Sequence, residues 1–162
     1  VEAREKMHAA STLAGMAFNT ASLGINHSLA HAAGAKFHVP HGRLNSILMP
    51  HVIQYNAGIE FNNRNRQATD KTVAIRYQDI AKLLGCSASS PVSGVRQLVE
   101  AIKKLQRKLE MPTSLREYGV KADAFAQYKV EISEAALHDG CTPTNPRVPT
   151  AEELLKVLEK AF

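Results

Sequence analysis

The 162-residue sequence has no run of about 18 apolar residues, so no membrane-spanning helix is expected. Its N-terminus lacks the apolar stretch of a signal peptide. It has only two cysteines, Cys86 and Cys141, far apart in sequence, which gives no disulfide framework and makes a reducing cytoplasm the simple expectation. Alternating apolar and polar runs are missing, and β-branched residues fall mostly at helical spacing, so no strand is expected. There is no internal repeat and no low-complexity tract. No His-Glu-x-x-His pattern occurs, and no Gly-rich loop follows an apolar strand, so neither signature of a zinc site nor of a dinucleotide-binding domain is present.

What is there is helix. The length and an apolar content of 44% suit one domain with a real core. Residues 2–22 form an amphipathic pattern through Met7, Ala10, Leu13, Ala14, Ala17 and Phe18, a face of mostly small residues that lets neighbours pack close. By periodicity alone Phe18 is core. Leu44, Ile47, Leu48, His51, Val52 and Tyr55 continue a second pattern with Pro50 inside it, which predicts a kink near residues 46–50. His51 and His38 read as structural. Asn56, Gly58, Asn62 and Asn63 mark a loop, and Arg64 and Arg66 lie exposed in it.

A helix over residues 69–84 is capped by Thr69 or Asp70, buries Val73, Tyr77, Ile80, Ala81 and Leu84, and stops at Gly85. Ser90 and Pro91 open the longest pattern, Val92, Val95, Leu98, Val99, Ile102, Leu105 and Leu109. Ser114 with Glu117 caps a short helix ending at Gly119. A helix over 122–138 follows, with Phe125, Tyr128 or Lys129, Ile132, Ala135 and Ala136 inward. Residues 140–149 are an irregular loop, and Thr150 with Glu153 caps a last helix. The sum is an all-α bundle of about seven or eight helices.

The net charge of +5 raises a nucleic-acid-binding reading. The basic residues are spread along the chain, and the densest group, Lys103, Lys104, Arg107 and Lys108, is a solvated helix face. A helical interaction or nucleic-acid-binding module stands as the alternative function. It gives no reason for the most distinctive stretch, Gly24 to Pro50, which holds four of the seven histidines with three glycines and two prolines.

His27 and His31 are four apart in a short Ala-rich helix between Gly24 and Gly34, where Gly34 is a natural stop, so both imidazoles share a face. The connector through Phe37, His38, Val39 and Pro40 leads to His41 at the start of the next helix. Three imidazoles can hold zinc or ferrous iron, and spacing alone nominates His27 and His31 as a chelating pair with His41 third. Chance spacing of surface histidines is an equally good account of the same pattern. Cys141 by itself is a small buried hydrophobe.

Leu23-Gly-Ile-Asn-His27-Ser-Leu-Ala-His31-Ala-Ala-Gly-Ala, Val39-Pro-His41-Gly-Arg-Leu-Asn45 and Leu48-Met-Pro50-His-Val-Ile-Gln-Tyr-Asn56 closely resemble the signature of iron-containing alcohol dehydrogenases. Upstream, Arg4 to Phe18 resembles the helix before that signature, and Asp139-Gly-Cys141-Thr-Pro-Thr-Asn145-Pro-Arg147 resembles a further family motif. The resemblance covers essentially the whole chain. It is strongest to the short-chain alcohol branch, which includes the alcohol half of bifunctional aldehyde-alcohol dehydrogenases and the enzymes of ethanolamine or propanediol use.

The resemblance implies that His27 and His41 are two of the family's four metal ligands, one Asp and three His. It implies that His31 is no ligand but stands near the nicotinamide and substrate as a proton relay, against the pairing that spacing favours. It places Phe18 and Cys141 near the substrate pocket. The implied cofactors are Fe2+, with zinc as the alternative, and NAD. The implied partners are a small alcohol or aldehyde, with no nucleic acid and no membrane, and a homo-oligomer is left open. The implied compartment is the cytoplasm, with a bacterial microcompartment as the alternative.

The other two ligands and the dinucleotide-binding domain lie upstream in the family, and neither has a counterpart here. The chain also begins at Val1 without a start methionine. It is therefore expected to be one helical domain, the C-terminal part of a larger enzyme. By itself it is expected to be inactive, to expose apolar surface and to self-associate.

Overall fold

A computed structural model describes residues 1–59 and 71–162. The expected caps Thr69 and Asp70, and the loop residues Asn62, Asn63, Arg64 and Arg66, lie outside the described residues. Among those described there are eight α-helices, one short 3-10 turn and no strand. They are α1 (Glu2–Ala21), α2 (Ile25–Phe37), α3 (His41–Asn56), α4 (Lys71–Leu83), α5 (Pro91–Lys108), α6 (Leu115–Tyr118), α7 (Ala122–Leu137) and α8 (Ala151–Lys160), with the 3-10 turn at Thr142–Thr144. The all-α expectation holds.

Caps chosen by sequence do what their chemistry allows. Ser90 Oγ accepts from the Ser93 amide with Pro91 at the first helical position. Thr150 and Glu153 form a full capping box at α8. At α6 only half of the box forms. Ser114 Oγ accepts from Glu117 N, while the Glu117 carboxylate turns to the amide and hydroxyl of Thr113.

Two apolar cores share α3. The larger packs Ile25, Leu29 and Ala33 of α2 against Leu44, Ile47 and Leu48 of α3, Phe125, Ile132 and Ala136 of α7, and Leu154 and Leu158 of α8. The smaller joins Ile53 and Ala57 to Ala74 and Ala81 of α4 and Val95, Leu98 and Val99 of α5.

Three helix readings need correction. Gly34 does not stop α2, which runs on to Phe37 and ends at His38 in the left-handed conformation, φ 51°. A Cβ on Gly34 would sit 3.3 Å from Leu44 Cδ1, so its use is the close approach of α3, not termination. The buried line of α4 is Ala74, Gln78 and Ala81, whereas Ile80 and Leu84 are exposed. The cause is the tight crossing with α5, where a Cβ on Gly94 would fall 2.5 Å from Gln78 Cα. Backbones that close leave little room for large side chains between them, and the Gln78 amide donates to Ala88 O at 2.8 Å. On α5 itself Leu105 and Leu109 are exposed, and the residue turned inward at that end is Gln106.

Gln106 explains how Pro50 is accommodated. Pro50 has no N–H to give the carbonyl of Ser46 four residues back. The Gln106 amide supplies the missing donor, with Nε2 at 2.6 Å from Ser46 O. Helix α3 therefore continues through a buried proline. Gln106→Leu should leave Ser46 O without a donor and cost about 1–3 kcal/mol. In a Pro50→Ala background the substituted residue brings its own backbone amide, which takes over as donor, so the same change should cost distinctly less. Urea unfolding of the four proteins in this cycle measures the coupling. Equal costs in both backgrounds would remove the explanation.

Helix α1 exposes apolar surface, as expected of the chain, and overturns the periodicity reading of Phe18 as core. None of its residues is buried, and Met7, Leu13, Met16 and Phe18 all stand on the surface. Its apolar face is present as the pattern says, but no other described helix covers it. No helix among the described residues is long and apolar enough to cross a membrane.

Candidate functional site

The three-residue connector His38–Pro40 turns the chain so that α3 doubles back along α2. Asn26 and Asn45 then meet, Nδ2 of the first donating to Oδ1 of the second at 2.7 Å. This brings His27, in the first turn of α2, and His31, one turn later, beside His41, the first residue of α3. The ring centroids of His27 and His41 lie 5.2 Å apart, those of His31 and His41 5.2 Å, and those of His27 and His31 6.1 Å. All three histidines singled out by sequence therefore converge. His38 and His51 do not join them; the first caps α2 and the second lies at α3's other side, facing Lys103 and Lys160. Burial, helped by those two lysines, lowers the His51 pKa to about 4.

The three rings are not equivalent. His31 and His41 stack nearly parallel, 15° between planes, while His27 is tilted 51° to His41. A metal ion lies in the plane of each imidazole that binds it. Two imidazoles on one tetrahedral ion at about 2.1 Å have centroids on the order of 5 Å apart. The His27–His41 separation of 5.2 Å suits that distance, and the tilt of the two rings lets their planes intersect. The protonation of His27 suits the same use. Burial lowers the His27 pKa, and repulsion from His41 and His31 lowers it further, so the neutral ring is favoured. His41 Nε2 lies 2.8 Å from the Asn45 side-chain amide, a contact that an ion at that nitrogen would replace. These residues fit a divalent cation of borderline softness.

His31 has a different partner. Its Nδ1 is 2.9 Å from Asp139 Oδ2, across 108 positions of sequence. Burial pushes the Asp139 carboxyl up, but hydrogen bonds from the Cys141 amide and from His31 outweigh it and hold the pKa below the usual value. Burial raises the Cys141 thiol pKa, and the neighbouring Asp139 adds to the rise, so the thiol is neutral rather than a reactive thiolate. Donor atoms of His31, Asp139 and Cys141 come within 4.8 Å of one another. Cys141 thus joins the histidine cluster. Phe18 stands apart on α1, 49% exposed.

The loop after α7 is held by a second cluster, built on amides. Asn145 Nδ2 donates to Asn56 Oδ1 at 2.8 Å and to Arg147 O at 2.6 Å. Its Oδ1 accepts from Asn56 Nδ2 and from the Ile25 amide, both at 3.3 Å. A Cβ on Gly24 would lie 2.7 Å from that oxygen, so only glycine lets the loop come this near to the start of α2. Asn56, expected in a loop, is the buried last residue of α3. The cluster borders an apolar recess of about 360 Å³ beside His27, walled by Leu23, Met49, Val52, Ile53 and Tyr77. Neither Phe18 nor Cys141 lines it. Asp139, Asn45 and the Asn56–Asn145 pair had no role assigned by sequence. Their only signal was position, Asn45 four residues after His41 and the others inside quoted motifs.

The comparisons agree with this geometry. The model of the Fe-containing alcohol dehydrogenase family, C-terminal, matches residues 1–162. The chain is 40% identical over 164 residues to an aldehyde-alcohol dehydrogenase of Streptococcus pneumoniae, covering 98% of this chain and 18% of that protein. It is 42% identical over 161 residues to an NADPH-dependent butanol dehydrogenase of Clostridium saccharobutylicum, covering 99% and 38%. The crystal structure of a 1,3-propanediol oxidoreductase superposes with a TM-score of 0.83 at 34% identity, covering 99% of this chain and 38% of that one. An iron-containing alcohol dehydrogenase of Thermococcus thioreducens gives a TM-score of 0.83 at 32% identity, covering 99% and 37%. The chain spans less than half the length of each of these relatives. With its whole length matched and its histidines converged, the chain belongs to the Fe-containing alcohol dehydrogenase family, in that family's C-terminal helical domain.

Proposed function

We propose that this chain is the C-terminal helical part of a metal-dependent alcohol dehydrogenase that interconverts short primary alcohols and aldehydes with NAD(H). What carries the proposal is the meeting of His27, His31 and His41 in a chain matched along its whole length. The bare apolar face of α1 supports the part about a longer protein, because Met7, Leu13, Met16 and Phe18 need a cover that the described residues do not provide.

His27 and His41 are the residues that would hold ferrous iron, or zinc, with further donors from outside this chain. Such an ion would supply Lewis-acid polarisation of the substrate oxygen, and a bound nicotinamide would serve as hydride acceptor. The chain's own task is to present two neutral imidazoles at a fixed separation. The other task is to move a proton. His31 stands exposed next to that pair, able to take the hydroxyl proton of the alcohol and release it to solvent. Phe18 and Cys141 are assigned to the substrate's surroundings, Cys141 from within the histidine cluster and Phe18 from the open face of α1.

The longer protein carrying this chain, purified with ferrous iron, is expected to reduce NAD in the presence of ethanol or 1-propanol. The 162-residue chain alone, given the same metal and cofactor, is expected to be silent. Two imidazoles hold a divalent ion far more weakly than four ligands do. Turnover by the chain alone, or none by the metal-loaded longer protein, would overturn the proposal.

A further inference from the structure

We propose that Asp139 is the positioning residue for His31, fixing the ring with its proton on Nδ1 and leaving Nε2 as the nitrogen free to accept one. The tautomer stands on geometry alone; its consequence for turnover rests on the alcohol dehydrogenase reading above.

An ionised carboxylate only accepts hydrogen bonds. His31 Nδ1, 2.9 Å from Asp139 Oδ2, must therefore carry hydrogen. In a neutral ring that leaves the lone pair on Nε2. The carboxylate is not free to turn and offer a different arrangement. Its other oxygen, Oδ1, accepts from the Cys141 amide at 2.8 Å and lies 3.4 Å from Ser28 Oγ. Ser28 is buried and 2.8 Å from the hydroxyl of buried Thr142, which donates to Ala136 O at 2.6 Å. Asp139 is thus pinned between the end of α7 and α2, with one oxygen committed to the loop and one to the imidazole. A carboxylate already surrounded by protein donors acts as an orienting group, not as a vacant ligand in a His31–Asp139–Cys141 cation site.

The same arrangement separates the roles of the histidines. His41 Nε2 meets the Asn45 amide, while His31 has its Nδ1 face occupied by Asp139. An imidazole anchored in this way can exchange a proton at one nitrogen without changing its orientation.

The test is the tautomer itself, read in the full chain with ¹⁵N-labelled histidine at about pH 8.5, where free imidazole is neutral. Long-range ¹H–¹⁵N correlation spectra distinguish the two ring nitrogens, and His31 is assigned by its loss in His31→Gln. Wild-type protein is expected to show His31 protonated on Nδ1. In Asp139→Asn the amide oxygen keeps the Cys141 contact, the NH2 group faces Nδ1, and the proton is expected on Nε2. In the longer enzyme the same variant is expected to lower kcat about 10–100-fold with KM and iron content unchanged. Asp139→Glu, which keeps an acceptor, should retain the wild-type tautomer. Wild-type His31 protonated on Nε2 would overturn the proposal even if no variant folds. An unchanged tautomer in Asp139→Asn, or a loss expressed in KM or iron content, would do the same. Absence of alcohol turnover in the longer wild-type enzyme, with the tautomer as stated, would instead count against the function and leave the positioning intact.

Discussion

Alanine at His27 or at His41 is expected to strip the metal from the longer enzyme, while alanine at His31 leaves it bound and abolishes turnover. The expectation follows from ring orientation. An ion must lie in the plane of each imidazole it binds, at about 2 Å from nitrogen. The 51° tilt and 5.2 Å separation of His27 and His41 are compatible with a shared ion, whereas His31 has its Nδ1 turned to Asp139. Losing one of the ligands assigned under the proposed function should weaken binding by at least about 100-fold, more than the 10–100-fold typical of changes to the groups that merely support a ligand. Metal analysis after dialysis, alongside turnover, separates the three histidines. His38→Ala is the control, since that ring is exposed at the end of α2 and outside the cluster. Metal retained in both His27→Ala and His41→Ala would remove the assigned pair. Metal lost in His31→Ala would restore the chelate that spacing alone suggests.

Asn145→Ala should be among the most destabilising single changes outside the apolar cores. It deletes a side chain that makes four hydrogen bonds, strands Asn56 Oδ1 and the Ile25 N–H, and leaves Asn56 Nδ2 with the Tyr77 hydroxyl at 3.4 Å. Each orphaned buried group costs about 1–3 kcal/mol. Water entering the neighbouring recess of about 360 Å³ would offset part of this, so the net loss expected is about 3 kcal/mol rather than the full sum. That corresponds to a fall in Tm of about 6–12 °C for a chain this size. Asn56→Ala added to Asn145→Ala should cost little more, because the partner it orphans has already gone. Differential scanning calorimetry of the two single variants and the double variant decides it. A fall in Tm of under about 2 °C for Asn145→Ala would show that the amide cluster does not hold the loop.

Much of this was legible before any coordinates. Ser90, Ser114 and Thr150 cap the helices they were expected to cap, because capping needs only a side-chain oxygen two or three residues ahead of a free amide. The misreadings share one cause. Gly34, Gln78 and Gln106 each serve a neighbouring helix, and their own helix gives no sign of it. Glycine at 34 admits α3, Gln78 meets Gly94 through its Cα, Cβ and Cγ, and Gln106 completes the backbone of α3 at Pro50. Periodicity reports which face of a helix is apolar, and it is silent about how near the next backbone comes. Helix α1 shows the converse. Its apolar face is as the pattern says, yet nothing in the described residues covers it.

By itself the sequence determined the helices, their caps and the presence of His27, His31 and His41 around one short connector, since these depend on contacts within a few residues. Only the tertiary structure shows what physically sets those imidazoles apart. The tilt between His27 and His41 comes from the way α3 folds back on α2, and the hold on His31 comes from Asp139, delivered by a loop more than a hundred residues away. Ring orientation and proton placement are set by such distant partners, and spacing along one helix carries no information about them.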